Sequence, residues 1–246
     1  MKLKFLGTAD SAGIPVHNCT CLVCENFRRN NRTNLSTCAY LEWEENIILL
    51  DAGIENISNI FDKKSIKAVF LTHFHADHCL GLLRLRHSND KIKCFHPKDE
   101  MGFSDLFKHK HSISYNRLDE FDSVKIDDIK LTSIPLKHSK NCNGYLIEFK
   151  DIVIAYLTDC SGIKQDSMNF LKSKNIDYCF IDACYDERKS TGNHLNYIQA
   201  TKVLDELEVK NGFLMHISHT TQEFIERNSI YLKYKYLENN QEFYFD

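Results

Sequence analysis

The apolar run Ala68-Val69-Phe70-Leu71 leads directly into Thr72-His73-Phe74-His75-Ala76-Asp77-His78. A run of this kind reads as a buried strand. Its C-terminal edge therefore carries three imidazoles and a carboxylate, ahead of a second apolar segment from Cys79 to Leu85. Crowding these groups is unfavourable unless a positive charge holds them. A divalent metal does so, since imidazole nitrogen and carboxylate oxygen are ligands it prefers. The plainer alternatives are a His-rich surface loop and core histidines bonded to backbone. They account for one His but poorly for His-x-His-x-Asp-His after a buried strand.

A second metal-type spacing is Cys19-Thr20-Cys21-Leu22-Val23-Cys24. Three thiols in six residues suit a closed tetrahedral zinc site, which needs one more ligand. His17, Cys38 or a distant His could supply it. Elsewhere, single candidates stand at the ends of apolar stretches: Asp51, His138, Asp159 and His216. Asp51 reads equally well as the acceptor that orients a metal-bound His and as the N-cap of a helix. Asp159 closes an entirely apolar strand, where an unpaired carboxylate is costly to bury, so it needs a charged partner. His194 lies in a loop with no local cue.

The elements that must position these residues follow from hydrophobic patterning. Lys2 to Leu6 alternates as a first strand and is followed by a small-residue loop, Gly7 to Pro15. Cys38 to Gly53 reads as a hairpin ending in Asp51, then a helix-like stretch and the strand Ile66 to Leu71. Gly144 to Asp159 reads as a second hairpin ending in Asp159, then a helix from Ser167 to Leu171 and the strand Ile176 to Ile181. The offset is 108 residues between the aspartates and 110 between Phe70 and Phe180. The repeated order of hairpin, Asp, helix and strand predicts two similar sheets facing each other with helices outside. His87, His96, His109 and His111 are expected to face solvent, and Arg28, Arg29 and Arg32 to lie on a solvated helix or loop.

Composition limits the function classes. Apolar residues make up 43% and charged residues 26%, as in an ordinary globular protein. With three prolines and nine glycines there is little room for a long linker, so one domain spanning 1–246 is expected. No apolar run is long enough for a transmembrane helix, and the basic start Met1 to Gly7 lacks an extended apolar segment. A cytoplasmic location is therefore expected. Ten cysteines in such a chain suggest metal-bound or buried thiols rather than disulfides. A net charge of −3 argues against broad tracking of a nucleic-acid backbone while leaving room for a local phosphate pocket.

The stretch His73-Phe74-His75-Ala76-Asp77-His78 resembles the signature of the metallo-β-lactamase superfamily of two-metal hydrolases. Within it, the chain is similar from Leu6 to His219 to the PhnP-like phosphodiesterases of phosphonate breakdown. Shared features include the Gly7-Thr8 loop, the Cys-x-Cys-x-x-Cys cluster and His138-Ser139-Lys140 followed by Gly144-Tyr145-Leu146. The resemblance implies an α/β fold, an αββα four-layer sandwich with two mixed sheets and flanking helices. It implies that His73, His75 and His138 hold one divalent metal, that Asp77, His78 and His216 hold another, and that Asp159 bridges them. It makes His194 the active-site His, with Asn196 standing where the family has an acidic residue. It also completes a structural zinc site, Cys19, Cys21 and Cys24, with His219.

The expected chemistry is hydrolysis of a phosphodiester, with paired Mn(II) or Zn(II) acting on an in-line displacement at phosphorus. Asp159 and His194 are the catalytic residues, His194 protonating the departing sugar oxygen. For a PhnP-like enzyme the substrate is the small phosphorylated sugar 5-phosphoribosyl 1,2-cyclic phosphate and the product ribose 1,5-bisphosphate. Arg86 and Lys140 are the candidate cations for the 5-phosphate. The alternatives are a tRNA 3′-processing endonuclease, another cyclic nucleotide phosphodiesterase, and a non-catalytic zinc-stabilised binding or cofactor-pathway protein. β-Lactamase activity is disfavoured by Asp159, at a position where those enzymes typically use Cys. A nucleic-acid or membrane partner is not expected, and pairing into a homodimer is left open.

Overall fold

A computed structural model describes residues 1–246. In chain order its first elements are β1 (Lys2–Gly7), α1 (Leu22–Arg29), β2 (Cys38–Trp43), β3 (Asn46–Leu50), α2 (Ile57–Ile60) and β4 (Ser65–Phe70). Then come α3 (Ala76–Cys79), α4 (Leu82–Leu85), β5 (Ile92–His96), β6 (Ile113–Arg117), β7 (Ser123–Ile126), β8 (Ile129–Lys137) and β9 (Cys142–Phe149). The last are β10 (Ile152–Leu157), β11 (Gly162–Ile163), α5 (Gln165–Lys172), β12 (Tyr178–Asp182), α6 (Tyr197–Glu206), β13 (Asn211–Met215), α7 (His219–Asn228) and β14 (Glu242–Tyr244). One sheet has the order β14-β1-β2-β3-β4-β5-β6; the other runs β11-β8-β9-β10-β12-β13, with β7 paired to β8.

Residues on the central strands alternate between two apolar environments. Ile48, Leu50, Phe70, Tyr145, Ile147, Ile154, Tyr156 and Phe180 meet in the core between the sheets. Their neighbours Ile47, Leu49 and Val69 turn outward beneath Ile57, Cys79, Leu82 and Leu85 of α2, α3 and α4. On the far side, Leu146, Ala155, Leu157 and Ile181 pack under Met168 and Leu171 of α5 and Ala200 and Leu204 of α6. Strands buried on both faces read as continuous hydrophobic runs, which is how these appear in the sequence. The layers are helix, sheet, sheet, helix: the αββα sandwich.

The internal repeat is realised strand for strand. β2 and β3 pair antiparallel, and β4 is added parallel to β3 with Leu50 opposite Phe70. β9 and β10 pair antiparallel, and β12 is added parallel to β10 with Tyr156 opposite Phe180. Both hairpins turn through a left-handed residue, Glu44 and Lys150. The segment Cys79 to Leu85 forms two short helices, α3 and α4, because Gly81 passes against the chain near Ala52 and Ile54. No helix is long and apolar enough to cross a membrane.

Candidate metal centre

Five residues or segments lie at or just beyond the C-terminal ends of strands in parallel pairings: Asp51 after β3, Leu71 to His78 after β4, Asp159 beyond β10, Asp182 at the end of β12 and His216 after β13. In layered α/β folds this edge is where ligand sites form. Asp51 and His216 both adopt left-handed backbone (φ 64° each), a conformation non-glycine residues hold only where the surrounding structure enforces it. Gly53 lets the loop after β3 press against the metal-type motif. A Cβ there would sit 1.5 Å from the Asp77 carbonyl oxygen.

Two ligand clusters result. In the first, His75 Nδ1 lies 2.8 Å from His73 Nε2 and 3.3 Å from His138 Nε2. In the second, Asp159 Oδ2 lies 3.1 Å from both His78 Nε2 and His216 Nε2, and Asp77 Oδ2 is 3.3 Å from His78 Nε2. The same Asp159 oxygen is 3.9 Å from His73 Nε2, so one carboxylate faces both clusters. Three of the ring nitrogens pointing away are engaged by neighbours. Thr72 Oγ1 meets His73 Nδ1 at 2.9 Å, Asp51 Oδ2 meets His78 Nδ1 at 2.8 Å, and the Asn193 carbonyl meets His138 Nδ1 at 3.0 Å. Such contacts fix the tautomer and turn the remaining nitrogen of each ring into the cluster. Asp51 is thus bonded to His78 and Thr72, not acting as a helix cap.

The donor set fits divalent cations. His216 is 1% exposed, yet its Nδ1 has no hydrogen-bond partner, an arrangement buried polar atoms avoid, and its Nε2 faces Asp159 Oδ2 at 3.1 Å without hydrogen-bond geometry. Burial opposes the charge on Asp159, but His216 and His78 hold its carboxyl well below the usual range. Burial likewise opposes a charged His78, which Asp159 and Asp51 nevertheless push well above the ordinary imidazole value. A ring facing a carboxylate that is held charged, and anchored on its other side by Asp51, is a place where a metal can replace a proton.

The thiol cluster is formed as well. Cys19, Cys21 and Cys24 place Sγ at 3.5, 3.5 and 3.7 Å from His219 Nδ1. A tetrahedral zinc with Zn–S of ~2.3 Å and Zn–N of ~2.0 Å has S···N edges of about 3.5 Å. Burial pushes the Cys24 thiol up to about 12, so a bound cation is what would keep it a thiolate. His17 is exposed and outside the cluster, and Cys38 is buried against the Asp51 carbonyl. Arg28 closes the loop by donating to the Val16 and Cys19 carbonyls at 2.6 and 2.5 Å. The other seven cysteines are buried and unpaired, as small hydrophobes are.

With this geometry in place, the family follows from the sequence itself: the profile of the Beta-lactamase superfamily domain matches residues 46–217. The chain belongs to the β-lactamase superfamily. Among solved structures, one described as a new diphosphatase from the PhnP family superposes with a TM-score of 0.82. It is 24% identical and covers 98% of this chain and 96% of that one. An octanoyltransferase of Porphyromonas gingivalis is 24% identical over 89% of this chain and 46% of its own length. Ribonuclease BN of Cronobacter sakazakii is 27% identical over 61% of this chain and 50% of its own. This superfamily member thus spans about half the length of the curated relatives it matches.

The loop candidate His194 is brought to the same place. Its ring stacks on His216 with centroids 4.7 Å apart, and its Nδ1 lies 2.7 Å from Asp182 Oδ2. Asp182 also accepts from the Cys160 and Cys184 amides at 2.8 and 3.0 Å, so its carboxylate is fixed. Sequence reasoning missed this residue. The available signal was a third apolar strand, Cys179-Phe180-Ile181, ending in Asp like the strands before Asp51 and Asp159. Asn196 instead caps α6, its side chain accepting from Gln199 N at 2.8 Å.

The two proposed phosphate cations are separated. Lys140 lines a cavity beside His138 and pairs with Asp99 at 3.2 Å. Arg86 lines neither that cavity nor the ligand clusters; its guanidinium is bound by Asp105 at 2.9 Å. A second expectation also needs correction. His96 is buried rather than solvent-facing, because it ends a central strand and packs on Phe74 and Phe107.

Proposed function

We propose that the chain is a metal-dependent phosphodiesterase using two divalent cations, Mn(II) or Zn(II), and acting on 5-phosphoribosyl 1,2-cyclic phosphate to form ribose 1,5-bisphosphate. The observation that carries this reading is the single Asp159 oxygen facing both ligand clusters. His73, His75 and His138 would hold one cation, Asp77, His78 and His216 the other, and Asp159 both. Once bound, the pair would supply an activated water and charge neutralisation at the phosphoryl group. Around it, Asp159 and the five imidazoles form a largely buried wall that excludes bulk water from one side of the substrate. Asp182 holds His194 by Nδ1, leaving Nε2 as the nitrogen from which a proton would pass to the departing sugar oxygen. The Cys19, Cys21, Cys24 and His219 site, filled by zinc, would tie the loop before α1 to α7. That brace begins three residues beyond His216.

The ribonuclease relatives support phosphodiester chemistry and keep RNA among the substrates to be compared. The net charge of −3 favours the small molecule. Octanoyl transfer is not carried over, since the match covers under half of that protein. The test is to load the protein with Mn(II) or Zn(II) and assay bis(p-nitrophenyl) phosphate, the cyclic phosphoribosyl phosphate, 2′,3′-cyclic nucleotides and precursor tRNA. Asp159→Ala is expected to lower turnover by at least about 10³-fold with the circular dichroism spectrum retained. Absence of any hydrolysis by the loaded wild-type protein would leave only a non-catalytic binding protein.

A further inference from the structure

The loop after β1 closes one side of the metal centre. β1 and β2 pair antiparallel, as do β2 and β3, so the C-terminal end of β1 lies at the same sheet edge as Asp51. From there the chain reaches the other sheet. Ala9 forms a parallel bridge with Ile217, the residue after His216, and the Asp10 amide donates to the Ile217 carbonyl at 3.1 Å. Ala9 is fully buried and is held from the first sheet as well. Its amide donates to the Leu35 carbonyl, and its own carbonyl accepts from the Thr37 amide and hydroxyl, each at 3.0 Å. The backbone that carries Asp10 is thus fixed against the strand end that carries His216.

Asp10 itself is half-buried, with imidazoles of the site around it. Burial raises its carboxyl above the ordinary range, and His216, the Ala12 amide, His219 and His194 oppose that rise. Because His194 stacks on His216, Asp10 stands on the side of the centre that serves the departing oxygen. One carboxylate oxygen, Oδ1, accepts from the Ala12 amide at 3.1 Å. The other has no protein partner, no lysine or arginine pairs with the group, and Asp10 belongs to neither ligand cluster. An unneutralised carboxylate beside a centre for phosphoryl oxygens repels anions, so its place there calls for a neutral hydrogen-bond donor. A sugar hydroxyl is such a donor.

Resting on the phosphodiesterase reading, we infer that Asp10 is a specificity-determining residue whose free carboxylate oxygen accepts a hydrogen bond from the sugar hydroxyl next to the departing oxygen. In the proposed substrate this is the 3-hydroxyl, because opening the 1,2-cyclic phosphate to a 1-phosphate frees the oxygen on carbon 2. The plainer role, closing the turn to Ala12, uses Oδ1 alone and leaves the second oxygen without a task.

The decisive comparison is between 5-phosphoribosyl 1,2-cyclic phosphate and its 3-deoxy analogue, in metal-loaded wild type, D10N and D10A. Asn keeps an oxygen for the Ala12 amide and replaces the free oxygen with a donor, so the turn is retained while the hydroxyl contact is removed. In the wild type, kcat/KM is expected to favour the 3-hydroxyl substrate by at least about tenfold, the scale of a hydrogen bond to a charged group. In D10N and D10A that preference should fall to within about twofold, with the melting temperature of D10N unchanged. A preference that survives in D10N, whatever D10A does, makes Asp10 a turn residue and overturns the assignment. No preference in the wild type overturns it too. Calorimetry with ribose 5-phosphate and its 3-deoxy analogue reads the contact without turnover. Wild type should bind the first at least about tenfold more tightly and D10N should bind both alike; equal binding by wild type counts against Asp10. If bis(p-nitrophenyl) phosphate is not hydrolysed, the phosphodiesterase reading falls by itself, and the calorimetric pair still decides whether Asp10 reads the hydroxyl.

Discussion

At the scale of single residues, the site separates groups that face the substrate from groups that aim them. His194 is proposed to protonate a sugar oxygen, a poor leaving group, whereas p-nitrophenolate leaves without help. His194→Ala should therefore lower kcat by about 10²–10⁴-fold on the cyclic sugar phosphate and far less on bis(p-nitrophenyl) phosphate. Equal losses on both would assign His194 to binding instead. Asp182 works through His194, gripping Nδ1 at 2.7 Å while two backbone amides hold the carboxylate still. Asp182→Asn should then reduce kcat with little change in KM, and the loss should again be larger for the sugar leaving group. Asp51 plays the corresponding part for His78, and Asp51→Asn is expected to weaken metal affinity by about 10–100-fold, measured by competition with a chelator.

Elements set how close these residues come. The loop after β3 and the loop after β4 touch at Gly53, with no room for a Cβ against the Asp77 carbonyl. Gly53→Ala must push the two loops apart, at a cost of about 1–3 kcal/mol from overpacking alone. The expected result is a lower melting temperature together with weaker metal binding, read by thermal unfolding and metal analysis of the same preparation. Just past the end of β13, α1 and α7 are drawn together by the thiols and His219, with Val23, Phe27 and Ile217 packed beneath. Cys21→Ser should release one equivalent of zinc and lower the melting temperature by roughly 5–10 °C, the size of shift a few kcal/mol produce in a chain this long. Because α7 starts three residues after His216, activity should fall as well. A variant that loses zinc with no change in stability would remove the bracing role.

For the whole molecule, the two halves repeat the same arrangement of strands and bury their inner faces against each other. That core is apolar and contains none of the candidate metal ligands, with Phe5, Phe70, Tyr145, Tyr156 and Phe180 at its centre. Removing metals with a chelator should leave the far-ultraviolet spectrum close to native and lower the melting temperature. Buried Asp159, His78 and His216 would then face one another without a shared cation. A collapse of secondary structure on chelation would show that the metals, not the sheets, hold the halves together.

Local chemistry and strand patterning were legible in the amino-acid sequence. His-x-His-x-Asp-His is a ligand set packed into one turn, three thiols within six residues are a clasp in themselves, and the apolar runs ending in Asp51 and Asp159 announced both halves of the sandwich. Tertiary structure alone decided what faces what. It placed Asp182 rather than the residue at 196 behind His194, tied Arg86 to Asp105, buried His96, and opened a basic cavity beside His138 from strand ends far apart in the chain. The physical reason is one of range. Ligand spacing and hydrophobic period are properties of neighbouring residues, but a hydrogen-bond partner or a cavity wall exists only once sheet order and register bring distant strand ends to the same edge.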